Sequence, residues 1–104
     1  MSRPPRLDDA VVAAWLTEHP SWQLDAGHLL RAFDTVDYPS CVTIVGALVG
    51  TAERLDHHPI ITIGYRHLRF ELWTHDRDGL TQLDLDYANA LEDVLSGELA
   101  ALVK

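Results

Sequence analysis

Cysteine is almost absent from this 104-residue chain: Cys41 stands alone, inside an apolar run. A single thiol excludes an intrachain disulfide framework and any CxxC metal or redox pair, and it suits a reducing compartment, so a cytoplasmic location is expected. Basic side chains are scarce too, eight against sixteen carboxylates, for a formal charge of -8. With no cluster of Lys and Arg able to track phosphates, direct nucleic-acid binding is not expected. The longest apolar stretch, CVTIVGALVG, is about half of the ~20 residues a membrane-spanning helix needs. The first twenty residues lack the basic-then-apolar order of a signal peptide, so neither a leader nor a membrane anchor is expected. Internal repeats, linkers and low-complexity tracts are missing as well. What is present is a hydrophobic fraction of 47%, enough for one domain with a modest core over residues 1–104 and too short a chain for two.

Hydrophobic periodicity divides that domain into alternating elements. Acids open LDDAVVAAWLTEH, and Val11, Val12, Trp15 and Leu16 follow at helical spacing before Pro20, which predicts a first helix. In SWQLDAGHLLRAF the tripeptide Asp25-Ala26-Gly27 separates two runs that can extend, a hairpin signal. From Pro39 to His58, Cys41, Ile44, Val45, Leu48, Ala52 and Leu55 recur three or four apart and predict one five-turn amphipathic helix, with Gly46 and Gly50 as points of close packing. IITIGY and HLRFELWT alternate with period two and predict a second hairpin turning near Arg66, with Leu68, Phe70, Leu72 and Thr74 on one face. Thr81 and Asp84 have capping-box spacing after the Asp78-Gly79 turn, Leu80 and Leu85 can close a hydrophobic staple, and Tyr87, Leu91, Val94 and Leu95 continue the helix, which frays toward Lys104. The order α-β-β-α-β-β-α predicts an α+β fold, a four-stranded antiparallel sheet with helices packed on one face.

The chemistry-bearing stretch is ERLDHHP, residues 53–59. Pro59 disfavours the helical region for His58, so the second helix must end there, with His57 at its negative C-terminal end beside Asp56. An imidazole in that setting can give or take a proton. Glu53 lies one turn earlier and on helical spacing shares the face of His57. His75 ends the fourth strand in LWTHD, so the three imidazoles can converge at one site. Against this, a histidine near a helix end commonly caps free carbonyls. Adjacent histidines diverge, and no cysteine or HxxxH spacing supports them, so no metal site is expected. His19, His28 and His67 read as isolated surface or hairpin residues, and Trp22 and Trp73 as core or cover.

The spacing E-x-x-x-H-H-P, then Tyr65, Thr74-His75 and G-L-T-x-x-D from Gly79 to Asp84, resembles the signature of the pterin-4a-carbinolamine dehydratases. SWQLDAGHLLRAF and Asp37-Tyr38 resemble upstream segments of the same family, and the match runs without a gap over roughly residues 7 to 97. The resemblance implies a four-stranded antiparallel sheet with helices on one face, assembled as a homodimer or homotetramer. The implied reaction is loss of water from a 4a-hydroxytetrahydropterin, a small-molecule substrate, in the recycling of the tetrahydropterin used by aromatic amino-acid hydroxylases. No metal and no bound cofactor is implied. The 4a hydroxyl leaves only once protonated and N5 must lose a proton, a task for an acid and a base such as histidines supply.

Position by position, the resemblance implies proton transfer for His57 and His75 and pterin binding for His58. It implies substrate contact for Asp56 and Thr74, and a supporting acid at Glu53 able to orient His57. Trp22 falls on a tryptophan that can wall the pocket. Two positions depart from the pattern: Ile60 replaces an acidic residue, and Trp73 replaces Ser or Thr. By strand alternation Trp73 shares a face with His75, where it narrows the pocket or stacks on a flat ring. The alternative reading is a protein-binding module without turnover, of the kind that serves as a dimerisation cofactor of a homeodomain transcription factor or as a Rubisco assembly factor.

Overall fold

The computed structural model describes residues 3–104. Helix α1 (Asp9–Glu18) leads into strands β1 (Gln23–Asp25) and β2 (His28–Asp34), then helices α2 (Tyr38–Ala47) and α3 (Val49–Leu55). Strands β3 (Ile60–Gly64) and β4 (His67–Leu72) follow, then helix α4 (Gln82–Ser96), with 3-10 turns at His75–Arg77 and Ala100–Leu102. The strands form one antiparallel sheet in the order β1-β2-β4-β3. Ala26 (φ 50°) and Gly27 (φ 82°) make the first hairpin turn with two left-handed residues, the geometry that matches strand twist.

The two faces of the sheet differ. Register sets Leu29 opposite Leu72, Arg31 opposite Phe70 and Phe33 opposite Leu68. Leu29, Leu68, Phe70 and Leu72 are fully buried, in one core with Val12 of α1, Ile44 of α2, Ala52 of α3 and Leu91 of α4. Each such side chain contributes roughly 1.5–3 kcal/mol by leaving water, and a one-residue slip of the ladder would expose them all. His28, Leu30, Arg69 and Glu71 point to the opposite, uncovered face. The α+β architecture expected from periodicity is therefore the one observed.

Three local expectations are corrected. The single helix from Pro39 to His58 is two, because Leu48 (φ -101°, ψ -2°) interrupts the helical bonding between α2 and α3. The buried stripe Cys41, Ile44, Leu48, Ala52 survives the break, since its spacing is kept. Gly46 and Gly50 are not close-packing points: a β-carbon at either would meet nothing within 4 Å, and their cost is to helix propensity beside the break. The chain does not fray toward Lys104 either. Helix α4 stops at Ser96, and Val103 pairs with Thr35 while the Lys104 amide donates to Asp34. Among the described residues no helix is long and apolar enough to cross a membrane.

Candidate active site

Helix α3 ends in a Schellman reversal. Asp56 adopts the left-handed conformation (φ 47°), its amide donates to Glu53 O at 3.2 Å, and the His57 amide donates to Ala52 O at 3.0 Å. Pro59 then commits the chain to an extended path into β3. Ile60 stands opposite Glu71; running that register back toward the helix points His58 at Trp73 and His57 at Thr74. The site thus forms where one strand begins and its neighbour ends.

His57 turns inward. It is 7% exposed, and its Nε2 lies 2.6 Å from Oδ1 of Asp84, which is 0% exposed. A carboxylate has no proton to give, so the imidazole donates. The other carboxylate oxygen accepts from the Thr81 amide at 2.9 Å and from the Thr74 hydroxyl at 2.8 Å. Because Thr74 gives its proton to Asp84, the Thr81 hydroxyl donates to Thr74 across 2.9 Å while accepting the Leu83 amide at 3.2 Å. The capping box that starts α4 is therefore also the anchor of His57. No buried side-chain nitrogen or oxygen among the described residues lacks a partner. Nδ1 of His57, which has no partner among the described residues, is accordingly the nitrogen open to the cleft.

That cleft, about 200 Å³, is lined by Asp56, His57, His58, Trp73, Thr74 and His75, together with Arg3 and Asp76. Six residues singled out from sequence are brought together. Glu53 is not among them. It accepts from Nε2 of His58 at 2.6 Å, and the two side chains are 69% and 57% exposed. The one-turn relation between Glu53 and His57 fails because His57 lies beyond the left-handed reversal, where helical periodicity no longer applies; the group that orients His57 is Asp84. Thr74 is turned inward as well, its hydroxyl committed to Asp84.

His75 opens a 3-10 turn that is closed by the Thr74 amide bonding to Gly79 O at 2.9 Å. The left-handed residue of this loop is Asp78 (φ 48°) rather than Gly79. His75 is exposed, has no side-chain hydrogen bond among the described residues, and touches the Trp73 indole at 4.3 Å between ring centres. Arg3 spans the mouth, 3.4 Å from Asp56 and 3.8 Å from Asp76, its backbone held by Arg77, which donates to the carbonyls of Arg3 and Pro4.

Sequence reasoning missed Arg3, which no pattern marks, and gave Asp84 only the role of a helix cap, which it has, without its bond to His57. The leucines around it, Leu80, Leu83 and Leu85, were the available sign that this cap is buried. His28, read as isolated, bonds Glu71 and stacks on Trp73. Trp22, a possible pocket wall, lies in the core against Trp15 and donates to Glu92 at 2.8 Å.

The same residues fall within wider similarities. The sequence model of the family described as pterin 4 alpha carbinolamine dehydratase matches residues 5–94. A candidate pterin-4-alpha-carbinolamine dehydratase of Chloroflexus aurantiacus is 35% identical over 91 residues, covering 88% of this chain and 98% of its own. A counterpart from Picosynechococcus sp. is 36% identical over 89 residues, 86% of this chain and 97% of the relative. The crystal structure of transcriptional coactivator/pterin dehydratase from Brucella melitensis shares the fold with a TM-score of 0.81 at 26% identity, over 86% of this chain and 97% of that one. With the family pattern spanning nearly the whole domain, relatives matched almost end to end and the fold in common, this chain belongs to the pterin-4-alpha-carbinolamine dehydratase family.

Proposed function

We propose that this protein dehydrates a 4a-hydroxytetrahydropterin to the quinonoid dihydropterin. The observation that carries the reading is the His57–Asp84 pair, buried behind a cleft that His58 and His75 also line. Asp84 holds the proton on Nε2 of His57, which leaves the Nδ1 lone pair facing the ligand as a base. In the reaction His57 takes the N5 proton, His75 gives a proton to the 4a hydroxyl, the C4a–O bond breaks, and water departs as the C4a=N5 bond forms. Proton exchange with solvent returns both imidazoles to their starting states. Asp56 and His58 hold the ring, Thr74 supports Asp84, and Trp73 walls the cleft, whose size suits a flat bicycle with its side chain left in solvent.

The test is a stopped-flow assay of carbinolamine breakdown. Purified protein should speed it well beyond the spontaneous rate, and a chelator should not change the result. A rate equal to the spontaneous one at excess protein would refute the reading, and activity lost to chelation and restored by zinc would refute the metal-free mechanism. A second reading, protein binding without turnover, draws on the word coactivator in the name of the Brucella melitensis relative and on the departures at Ile60 and Trp73. It requires that calorimetry detect no pterin binding.

We also propose a cytoplasmic location, in keeping with the single free thiol, and assembly as a homodimer or homotetramer through the sheet edge. The support is an open edge at β3, where Ile60 and Ile63 are 50% and 38% exposed beside unpaired backbone groups. Light scattering at micromolar concentration should give at least a dimer; a monomer would count against this assembly.

A further inference from the structure

We propose that Trp73 is a positioning residue for His75, held in its own place by His28 and Glu71 on the uncovered face of the sheet. The kinetic part of this inference rests on the dehydratase reading; the positioning part rests on geometry.

The support begins in the register. Leu29 faces Leu72, so one further step along the same ladder sets His28 opposite Trp73 on the face away from the helices. Directly opposed aromatic side chains on one sheet face can stack. Here they do so almost in parallel, with ring centres 4.0 Å apart and planes 4° from each other. His28 is itself fixed, because its Nδ1 donates to Oε2 of Glu71 at 2.6 Å. Oε1 of Glu71 accepts from Arg69 at 3.2 Å, so all four side chains form one row on that face. The hydrogen bond from His28 holds the Glu71 carboxyl below the usual carboxylate range, Arg69 adding to the effect and partial burial opposing it.

The three histidines of the cleft are held in different ways. His57 is hydrogen-bonded to Asp84 and His58 to Glu53. His75 has the indole, tilted 48° to its ring at 4.3 Å, where the other two have a carboxylate. A ring on an exposed turn with no hydrogen-bond partner would sample several staggered rotamers. An indole 4.3 Å from the His75 ring, centre to centre, restricts that freedom on the side it covers. With one indole face covered by His28, Trp73 serves the site as a brace for His75 and a wall of the cleft, and a ligand cannot stack on the covered face.

The experiment combines proton NMR of the histidine rings with steady-state kinetics on the intact protein. In the wild type the His75 ring protons should be displaced upfield by the indole ring current, and Trp73→Ser should return them to the positions of a free imidazole. His28→Ala should move them part of the way and lower kcat by about tenfold, the scale of a modest misplacement of a reacting group, with KM changed by less than about twofold. His28→Phe, which keeps a flat ring opposite Trp73, should restore both readouts, and circular dichroism on each variant confirms the fold. His75 resonances unmoved by Trp73→Ser or by His28→Ala would overturn the proposal. So would resonances that move while kcat stays at the wild-type value, since the indole would then be a cover for the sheet. If the wild type dehydrates no 4a-hydroxytetrahydropterin, the functional reading fails by itself, and the resonances then decide the positioning alone: displaced rings sustain it and unmoved rings end it.

Discussion

His57 and His58 are neighbours in the chain and each bonds a carboxylate across 2.6 Å, yet they live in different media. The His57–Asp84 pair is almost wholly out of water, and the carboxylate is satisfied by three donors from three positions. The His58–Glu53 pair is mostly in water, on two side chains free to reorient. In a low-dielectric setting a fully bonded network is rigid, and it is expensive to break. At the surface the same bond competes with water and is screened by salt. The comparison teaches that hydrogen-bond length says little about what a pair does: the inner pair can fix a tautomer and a direction, while the outer pair can adapt to a ligand.

The largest effect should come from breaking the inner pair. Asp84→Ala leaves His57, Thr74 and the Thr81 amide without their common acceptor, and a loss of about 3–5 kcal/mol is expected from urea unfolding, the range for an uncompensated buried partner. A loss below about 1 kcal/mol would mean that water replaces the carboxylate and that the site is less closed than the burial implies.

Next in size is the division of labour between the neighbours. His57→Ala should lower kcat by ~10²-fold or more, the usual scale for a general acid or base, and His75→Ala should act alike. His58→Ala should chiefly raise KM. Equal and small effects at all three would show structural histidines and remove the functional difference between the inner and outer pairs.

A smaller effect tests burial along α4, one turn beyond Asp84. Tyr87 shares an apolar cavity with His58 and Pro59, and burial pushes its phenol from the ordinary 10.0 up to about 12. Since the folded value is the higher one, the contribution to stability is complete below pH 10 and is lost as the pH rises through about 12. Denaturation followed across that window should therefore steepen in the wild type and flatten in Tyr87→Phe. The smallest change belongs to the outer pair: Glu53→Gln should alter stability by no more than about 1 kcal/mol, and the difference should shrink further in salt. A larger loss would show that Glu53 carries more of the site than its exposure allows.

What could be read from the sequence was whatever depends on a few consecutive residues. Period two placed Leu68, Phe70 and Leu72 on one face of β4, and Thr81 with Asp84 marked the start of α4, because side-chain direction and end-capping are set within one or two turns. Pro59 and the histidine pair located the motif residues of the cleft for the same reason, but α3 stops at Leu55 rather than at the expected His58, because Asp56 reverses the chain first. Tertiary structure decided the partners. Which histidine turned inward depended on a carboxylate 27 positions away, and which ring braced His75 depended on a strand pairing that set His28 beside Trp73. Even Glu53, four residues from His57, could not be assigned from its spacing, since a single left-handed residue at Asp56 ended the helical periodicity that made the inference. Periodicity carries information over the length of one element, whereas a hydrogen bond is chosen by distance in space.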